Sequence, residues 1–209
     1  MGDTGTTFRG VSVAPRIGVG TITDGNTFKF NSSPFPQGPT RLIGGELSLE
    51  FGKNIADNPR RIGELAFLYY WGHAHDKVTQ DDLPLGNDPL LSLIHFGSER
   101  ESNSHYVLAE WRWPTLSPVY ATRHWAFINP QYTVGAGGIV INTKFTQENS
   151  EPKEVNQVAL VVTGSTQVRL VEFSTDHFLI SLEGAVRVFA GQAFGMFGEG
   201  TLRFSYKKY

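Results

Sequence analysis

The chain has no cysteine. Disulfides, thiolate catalysis and thiolate zinc sites are therefore excluded, while the redox compartment stays open. Charge is also scarce. Charged residues make up 18% of the chain and the net charge is -2. A nucleic-acid partner would call for a clustered basic surface, and this composition gives no reason to expect one. Long apolar runs are missing as well. The longest, residues 65–71, is about a third of the roughly 20 residues that a membrane helix needs, so no membrane insertion is expected. Met1-Gly2-Asp3-Thr4-Gly5 has neither the basic start nor the apolar stretch of a signal peptide. It reads as a start residue placed before an excised segment. No apolar period of 3.6 residues is sustained, and residues 53–63 offer at most a turn or two of helix.

What is present has a β texture. Gly 23 and Pro 11 fall in short clusters, with Thr, Val, Phe and Tyr between them. Strands are expected near 6–13, 18–23, 27–31, 46–51, 64–71, 90–96, 105–111, 138–145, 157–162, 167–173, 177–182, 185–190 and 200–206. Asp24-Gly25 is a strong hairpin signal, and Gly164-Ser165 and Glu183-Gly184 read as similar tight turns. In Glu46-Leu47-Ser48-Leu49-Glu50-Phe51 polar and apolar residues alternate, which predicts one wet face and one packed face. Thr201-Leu202-Arg203-Phe204-Ser205-Tyr206 repeats the pattern. Leu65-Ala66-Phe67-Leu68-Tyr69-Tyr70-Trp71 is apolar on both faces, so it must be covered on both sides, by two layers or by another subunit. Pro34-Phe35-Pro36-Gln37-Gly38-Pro39 reads as a stiff loop, and no segment is long or biased enough to be a linker. The 209 residues are expected to form one domain spanning 1–209. The fold class expected is all-β: a single compact antiparallel domain, squashed-barrel or sandwich-like, in several layers with long loops.

Few residues suggest chemistry. His73 and His75 lie two apart, so on a strand both imidazoles face one side and could reach one metal. The spacing opens a cupin-like motif, but Gln80 stands where its acid belongs and no second half follows. The plainer reading is two ordinary histidines at a polar strand end. Glu46 and Glu50 share a strand face, as paired glycosidase carboxylates can; a solvated face explains them more simply. Asp176-His177 are neighbours that point opposite ways, and no serine has a nucleophile-elbow context. Gly135-Ala136-Gly137-Gly138 precedes a strand, not a helix, and reads as a tight loop or bulge rather than a phosphate cradle. Trp111, Trp113 and Trp125 cluster with Tyr106, Tyr120 and Tyr132, with Trp111 and Trp113 on one face and Glu110 and Arg112 on the other. Core packing or a subunit interface is the expected use, with glycan stacking as the alternative. Asn31-Ser32-Ser33 is a formal glycosylation sequon weakened by Pro34. No catalytic, cofactor-binding or metal residue is assigned, and no cofactor or enzyme activity is expected.

As a whole the chain resembles the projecting spike domain of an avian astrovirus capsid protein. The resemblance rests on its extent, on Met1 ahead of an internal-looking segment, and on two stretches. These are Glu64-Leu65-Ala66-Phe67-Leu68-Tyr69-Tyr70-Trp71-Gly72 and Tyr106-Val107-Leu108-Ala109-Glu110-Trp111-Arg112-Trp113-Pro114. It implies a non-enzymatic, homodimeric capsid projection on the virion surface that meets a host receptor, glycan or protein, and carries antigenic surface recognised by antibodies. No receptor-binding residue is carried over. A carbohydrate-binding module or phage receptor-binding tip is the alternative, followed by a cupin-like metal-dependent enzyme using His73 and His75.

Overall fold

Alternation of apolar and polar residues runs through nearly every strand-forming segment, and it sets the architecture. In the computed structural model, residues 6–24, 38–55, 58–78, 97–113, 130–147, 151–175 and 177–207 are described. They form eight strands: β1 (Thr6–Asp24), β2 (Thr40–Ile55), β3 (Asn58–Lys77), β4 (Glu99–Trp113), β5 (Gln131–Thr146), β6 (Lys153–Ser174), β7 (Phe178–Gly191) and β8 (Ala193–Lys207). Each pairs antiparallel with the next, and β8 pairs back onto β1, so one sheet closes into an up-and-down barrel with no free side edge along its girth. The all-β antiparallel expectation holds, and its barrel is a single sheet closed on itself. Among the described residues no helix is long and apolar enough to cross a membrane.

The strands are longer than the local patterns suggested. The expected strands at 6–13 and 18–23 are one strand, β1, running through Pro15. Gly164-Ser165 and Glu183-Gly184 are not turns. They lie inside β6 and β7, paired to Val134, Thr133, Arg169 and Val168. Small residues on one face of a curved wall imitate turn chemistry. Gly135-Ala136-Gly137-Gly138 is likewise in continuous register against β4 with no bulge. Residues 53–63 hold no described helix. β2 runs to Ile55, and β3 starts at Asn58. The Asp24-Gly25 turn, the strands expected at 27–31 and 90–96, and most of the 34–39 loop lie outside the described residues.

We call proximal the rim where β1 begins and β8 ends, and distal the opposite rim. All three register shifts, at Phe8/Gly10, Phe51/Gly52 and Arg169/Val171, fall near the proximal rim, where bulges commonly end a barrel wall. At the distal rim β7 and β8 are joined through Gln192 alone. Gly191 makes that corner with φ +135°, and a Cβ there would meet the Leu160 carbonyl oxygen at 2.7 Å, so only glycine fits. Gln192 ties the corner down. Its N–H donates to the Leu160 carbonyl at 3.0 Å, and its Oε1 accepts the Leu160 N–H at 2.8 Å.

The two faces of the wall are inverted relative to a water-soluble protein. Facing out are Val13, Ile17, Ile43, Leu47, Phe67, Tyr69, Val107, Val134, Val140, Leu160, Val162, Val186, Val188, Met196 and Phe204, with Ile17 at 66% and Leu160 at 65% exposure. Facing in, and buried, are Arg16, Glu46, Glu64, Glu110, Arg112, Glu183, Arg187, Glu199 and Arg203. The alternation at 46–51 thus has its faces reversed from the expected wet polar face and packed apolar face. Glu46 sits in a closed interior, and the Leu47 face looks outward.

Candidate functional site

The interior is built in layers. A barrel of eight strands is just wide enough for side chains to fill it, and charged side chains fill its proximal half. Arg16 donates to Glu199 at 2.8 Å and Gln167 at 3.1 Å, and pairs with Glu46. Arg112 donates to Glu46 at 2.9 Å and Glu64 at 3.1 Å. Arg203 is the widest bridge, reaching Glu183 at 3.0 Å, Glu64 at 2.8 Å, Glu46 at 2.8 Å and the Ser48 hydroxyl at 3.2 Å. Arg187 donates to Glu199 at 2.6 Å, pairs with Glu110, and lies 5.8 Å from the centre of the Tyr70 ring. The Tyr70 hydroxyl donates to Glu199 at 3.0 Å, and the Ser181 hydroxyl to Glu183 at 2.9 Å.

The strands dictate this meshwork. Each carboxylate or guanidinium occupies an inward parity position, and small inward residues beside them leave room. Gly44 shows the effect. A Cβ there would meet the Tyr69 carbonyl oxygen at 2.1 Å and the Tyr70 ring at 2.7 Å, so glycine lets Tyr70 lie against β2 and reach Glu199. Gly135 does the same under Glu110, and Gly137 under Leu108. Burying charges is tolerable only when they are paired and their remaining hydrogen-bonding capacity is largely used. Here each guanidinium spans two or more carboxylates on different strands.

Distal to the charges lies an apolar plug. Ile22, Leu42, Leu68, Tyr70, Tyr106, Leu108, Ile139, Ile141, Val161, Phe189 and Phe197 form one buried cluster. Its centre is aromatic, with Tyr106 and Phe189 each set against Phe197 at 6.0 and 5.4 Å between ring centres, both edge-on. Above the plug, Arg100 donates to Asp76 through Nε at 2.7 Å and Nη2 at 2.5 Å. Beneath the charged layer a polar cavity of about 130 Å³ opens at the proximal end, lined by Ser12, Glu50, Glu64, Gln131, Arg169 and Arg203. The described lumen is thus filled by two unlike layers.

Outside, aromatic side chains gather near the proximal rim. Phe8, Phe51, Trp111, Trp113, Tyr132, Phe173, Phe178 and Tyr206 face out there, with Phe51 and Trp111 stacked at 6.2 Å. Trp111 and Trp113 share a face, as expected, but it is the outer one. Trp113 is 41% exposed, while Glu110 and Arg112 are buried. The expected core or subunit packing for these tryptophans is replaced by exposure on the outer wall. Tyr106 faces the other way, into the plug. Trp125, Tyr120, Asp176 and the 31–33 sequon lie outside the described residues.

His73 and His75 do share a face, and it too is the outer one. His73 stacks on Trp71 at 5.9 Å, and its Nδ1 lies 3.1 Å from Asn103 Oδ1. Among the described residues no group of three His, Asp or Glu side chains could hold a metal. Asn103 meets only Nδ1 of His73, and positions 80 and 86 of the cupin-like motif lie outside the described residues. Glu46 and Glu50 both face inward, Glu46 into the arginine meshwork and Glu50 into the proximal cavity, so neither forms a solvated face.

No protein-family model matches the chain, and no curated protein matches it in sequence. Among solved structures, the chain is similar in overall shape to the attachment invasion locus protein Ail of Yersinia pestis. The TM-score is 0.49 at 9% identity, covering 97% of this chain and 100% of Ail. The N-terminal β-barrel domain of Pseudomonas aeruginosa OprF gives 0.43 at 13% identity, covering 93% and 97%. Neisserial surface protein A gives 0.37 at 12% identity, covering 98% and 99%. No residue role is transferred from them.

The capsid-spike resemblance is overturned by the inverted wall. A projection standing in water from a virion hides its apolar residues, and this barrel turns them outward and hides its arginines. With that go the virion location, the homodimer, the host-receptor and antibody partners drawn from the resemblance, the carbohydrate-module and fibre-tip alternatives, and the expectation of no membrane insertion. The doubly apolar stretch of β3 needs no partner subunit. Ala66, Leu68 and Tyr70 enter the lumen, and Phe67, Tyr69 and Trp71 face the surrounding medium.

Proposed function

We propose that the chain is an integral membrane β-barrel of the outer-membrane type, non-enzymatic, with a sealed lumen. It crosses the bilayer with strands and holds up its distal rim outside it. The observation that carries this reading is the inversion of the wall: apolar residues at outward parity on all eight strands, and a charged meshwork at inward parity. In a bilayer every backbone polar group must be satisfied internally, which only helices and closed barrels achieve. Strands of 14 to 22 residues exceed the roughly 9–11 needed to span the hydrocarbon at a tilt. Outward residues of β2 run from Ile43 to Phe51, about 19–22 Å of membrane-normal height at that tilt. The proximal aromatics form a girdle of the kind that sits at a lipid–water interface.

A filled lumen supports an anchor or surface element over an open pore. Refolding from urea tests the reading. Far-ultraviolet circular dichroism should show β-structure when detergent micelles or phospholipid vesicles are supplied, and aggregation when they are not. The inserted protein should give no steady conductance in a planar bilayer. A folded, soluble protein in plain buffer would refute the membrane assignment, and a steady open current would refute the sealed lumen.

A further inference from the structure

The seam between β1 and β8, where the barrel closes, is interrupted near its proximal end. Pro15 has no N–H, and a proline within a sheet ladder removes one of its bonds. β1 pairs with β2 without a break through Ala14↔Glu46 and Pro15↔Gly45. Its ladder to β8 skips both residues, passing from Val13↔Phe204 to Arg16↔Thr201. The missing donor therefore faces β8, and the Leu202 carbonyl opposite Pro15 in the register has no donor on β1. Proximal to this gap the seam is four rungs long, Gly10 to Val13 against Lys207 to Phe204, and ends at the rim. Across it the Ser12 hydroxyl donates to the Ser205 hydroxyl at 2.8 Å. Two hollows of opposite chemistry stand back to back on this short segment. Outside, Val11, Val13, Phe178, Ile180, Phe204 and Tyr206 frame an apolar groove of about 310 Å³. They come from three adjacent strands in register, Val11–Tyr206–Phe178 and Val13–Phe204–Ile180. Inside lies the polar cavity of about 130 Å³ at the barrel mouth. Ser12, Ser205 and Leu179, the rung between, line both hollows.

We propose that the proximal end of the β1–β8 seam is a lateral portal for one zwitterionic, ammonium-bearing phospholipid. Its acyl chain lies in the outer groove, and its head enters the polar cavity between the parted ends of β1 and β8. This rests on the membrane reading and goes beyond it. The occupant follows from the two chemistries and their placement. An apolar groove on a wall bathed in lipid takes a hydrocarbon chain, and the cavity behind it takes a polar head of the same molecule. The cavity holds both signs of charge, Glu50 and Glu64 with Arg169 and Arg203, besides the Gln131 amide and the two serine hydroxyls. A purely anionic head would meet two carboxylates there. A head carrying an ammonium and a phosphate sets the first against Glu50 and the second against Arg169, both as charge-assisted hydrogen bonds. The Pro15 gap separates the four proximal rungs from the rest of the ladder, so parting them leaves the distal seam and the charged meshwork intact.

The absence of cysteine makes the test direct. Ser12 and Ser205 are cross-strand partners whose hydroxyls touch, close enough for a disulfide. The double variant Ser12→Cys, Ser205→Cys is refolded in detergent micelles, and the seam is locked by oxidation or left reduced. Each form is then given equal amounts of phosphatidylethanolamine and phosphatidylglycerol, and native mass spectrometry counts the lipids that stay bound. The reduced form should retain one phosphatidylethanolamine per barrel, preferred about tenfold over phosphatidylglycerol, the worth of one charge-assisted hydrogen bond. The form locked before lipid is added should retain none, and the form locked afterwards should hold its lipid through washing. In the otherwise unchanged chain, Glu50→Gln should abolish the preference between the two heads. Equal retention by locked and reduced forms would overturn the portal. Lipids retained in variable number with no preference between heads would mean ordinary boundary lipid and overturn the site. Circular dichroism of the same samples separates the two levels of failure. β-structure in micelles without retained lipid sinks the portal alone, whereas a folded protein in plain buffer sinks the bilayer reading beneath it.

Discussion

Replacing Val107 by arginine should destabilise the inserted barrel by about 2–4 kcal/mol, the cost of a guanidinium on the lipid face near the bilayer midplane. Val107 sits midway along the outward face of β4, between Trp113 and Asn103, and is 62% exposed. On a water-soluble protein that exposure would make the substitution nearly neutral, within about 0.5 kcal/mol. Urea unfolding of the protein in vesicles reads the difference. Lys144→Ala, near the distal end of β5, should stay near zero in the same assay. A neutral Val107→Arg would mean that water, not lipid, meets this face.

Glu46→Leu should cost about 3–5 kcal/mol, because it strips a shared counter-charge from Arg16, Arg112 and Arg203 at once and leaves them buried without it. The sign is opposite to ordinary expectation for a glutamate on an alternating strand, where leucine would be harmless on a wet face. Equilibrium unfolding in detergent micelles checks it. Because Arg16, Arg112 and Arg203 share other carboxylates, adding Arg203→Met to Glu46→Leu should recover part of the loss, as removing a stranded charge does. A Glu46→Leu protein as stable as its parent would show that the meshwork is hydrated and weakly coupled.

Most of the strands were legible in the sequence, and their surroundings were not. Alternation at 46–51 and 201–206 reports that the two faces of a strand differ, and it is silent on which face meets water. A mean hydropathy of -0.21 is that of a water-soluble chain, since lumen charges offset lipid-facing apolar residues. The missing 20-residue apolar run excludes a membrane helix and leaves a membrane strand untouched. The signal that could have found the meshwork was the spacing of opposite charges at one parity. Glu110 and Arg112, Glu183 and Arg187, and Glu199 and Arg203 each share a face whose other face is apolar or aromatic. Repeated on strand after strand, that pattern describes a wall with charges on its concave side. The glycines at 135, 137, 164 and 184 misled in the other direction. Their small size serves close inward packing or a smooth outer wall and makes no turn.

The most direct test of the central claim is the environment of Trp113, measured after refolding into vesicles in a Trp125→Phe, Trp71→Phe, Trp111→Phe background. If the outer wall faces lipid, phospholipids brominated near the headgroup end of the acyl chain quench Trp113 strongly and aqueous iodide quenches it weakly. Quenching by iodide with no effect of the brominated lipid would contradict the account.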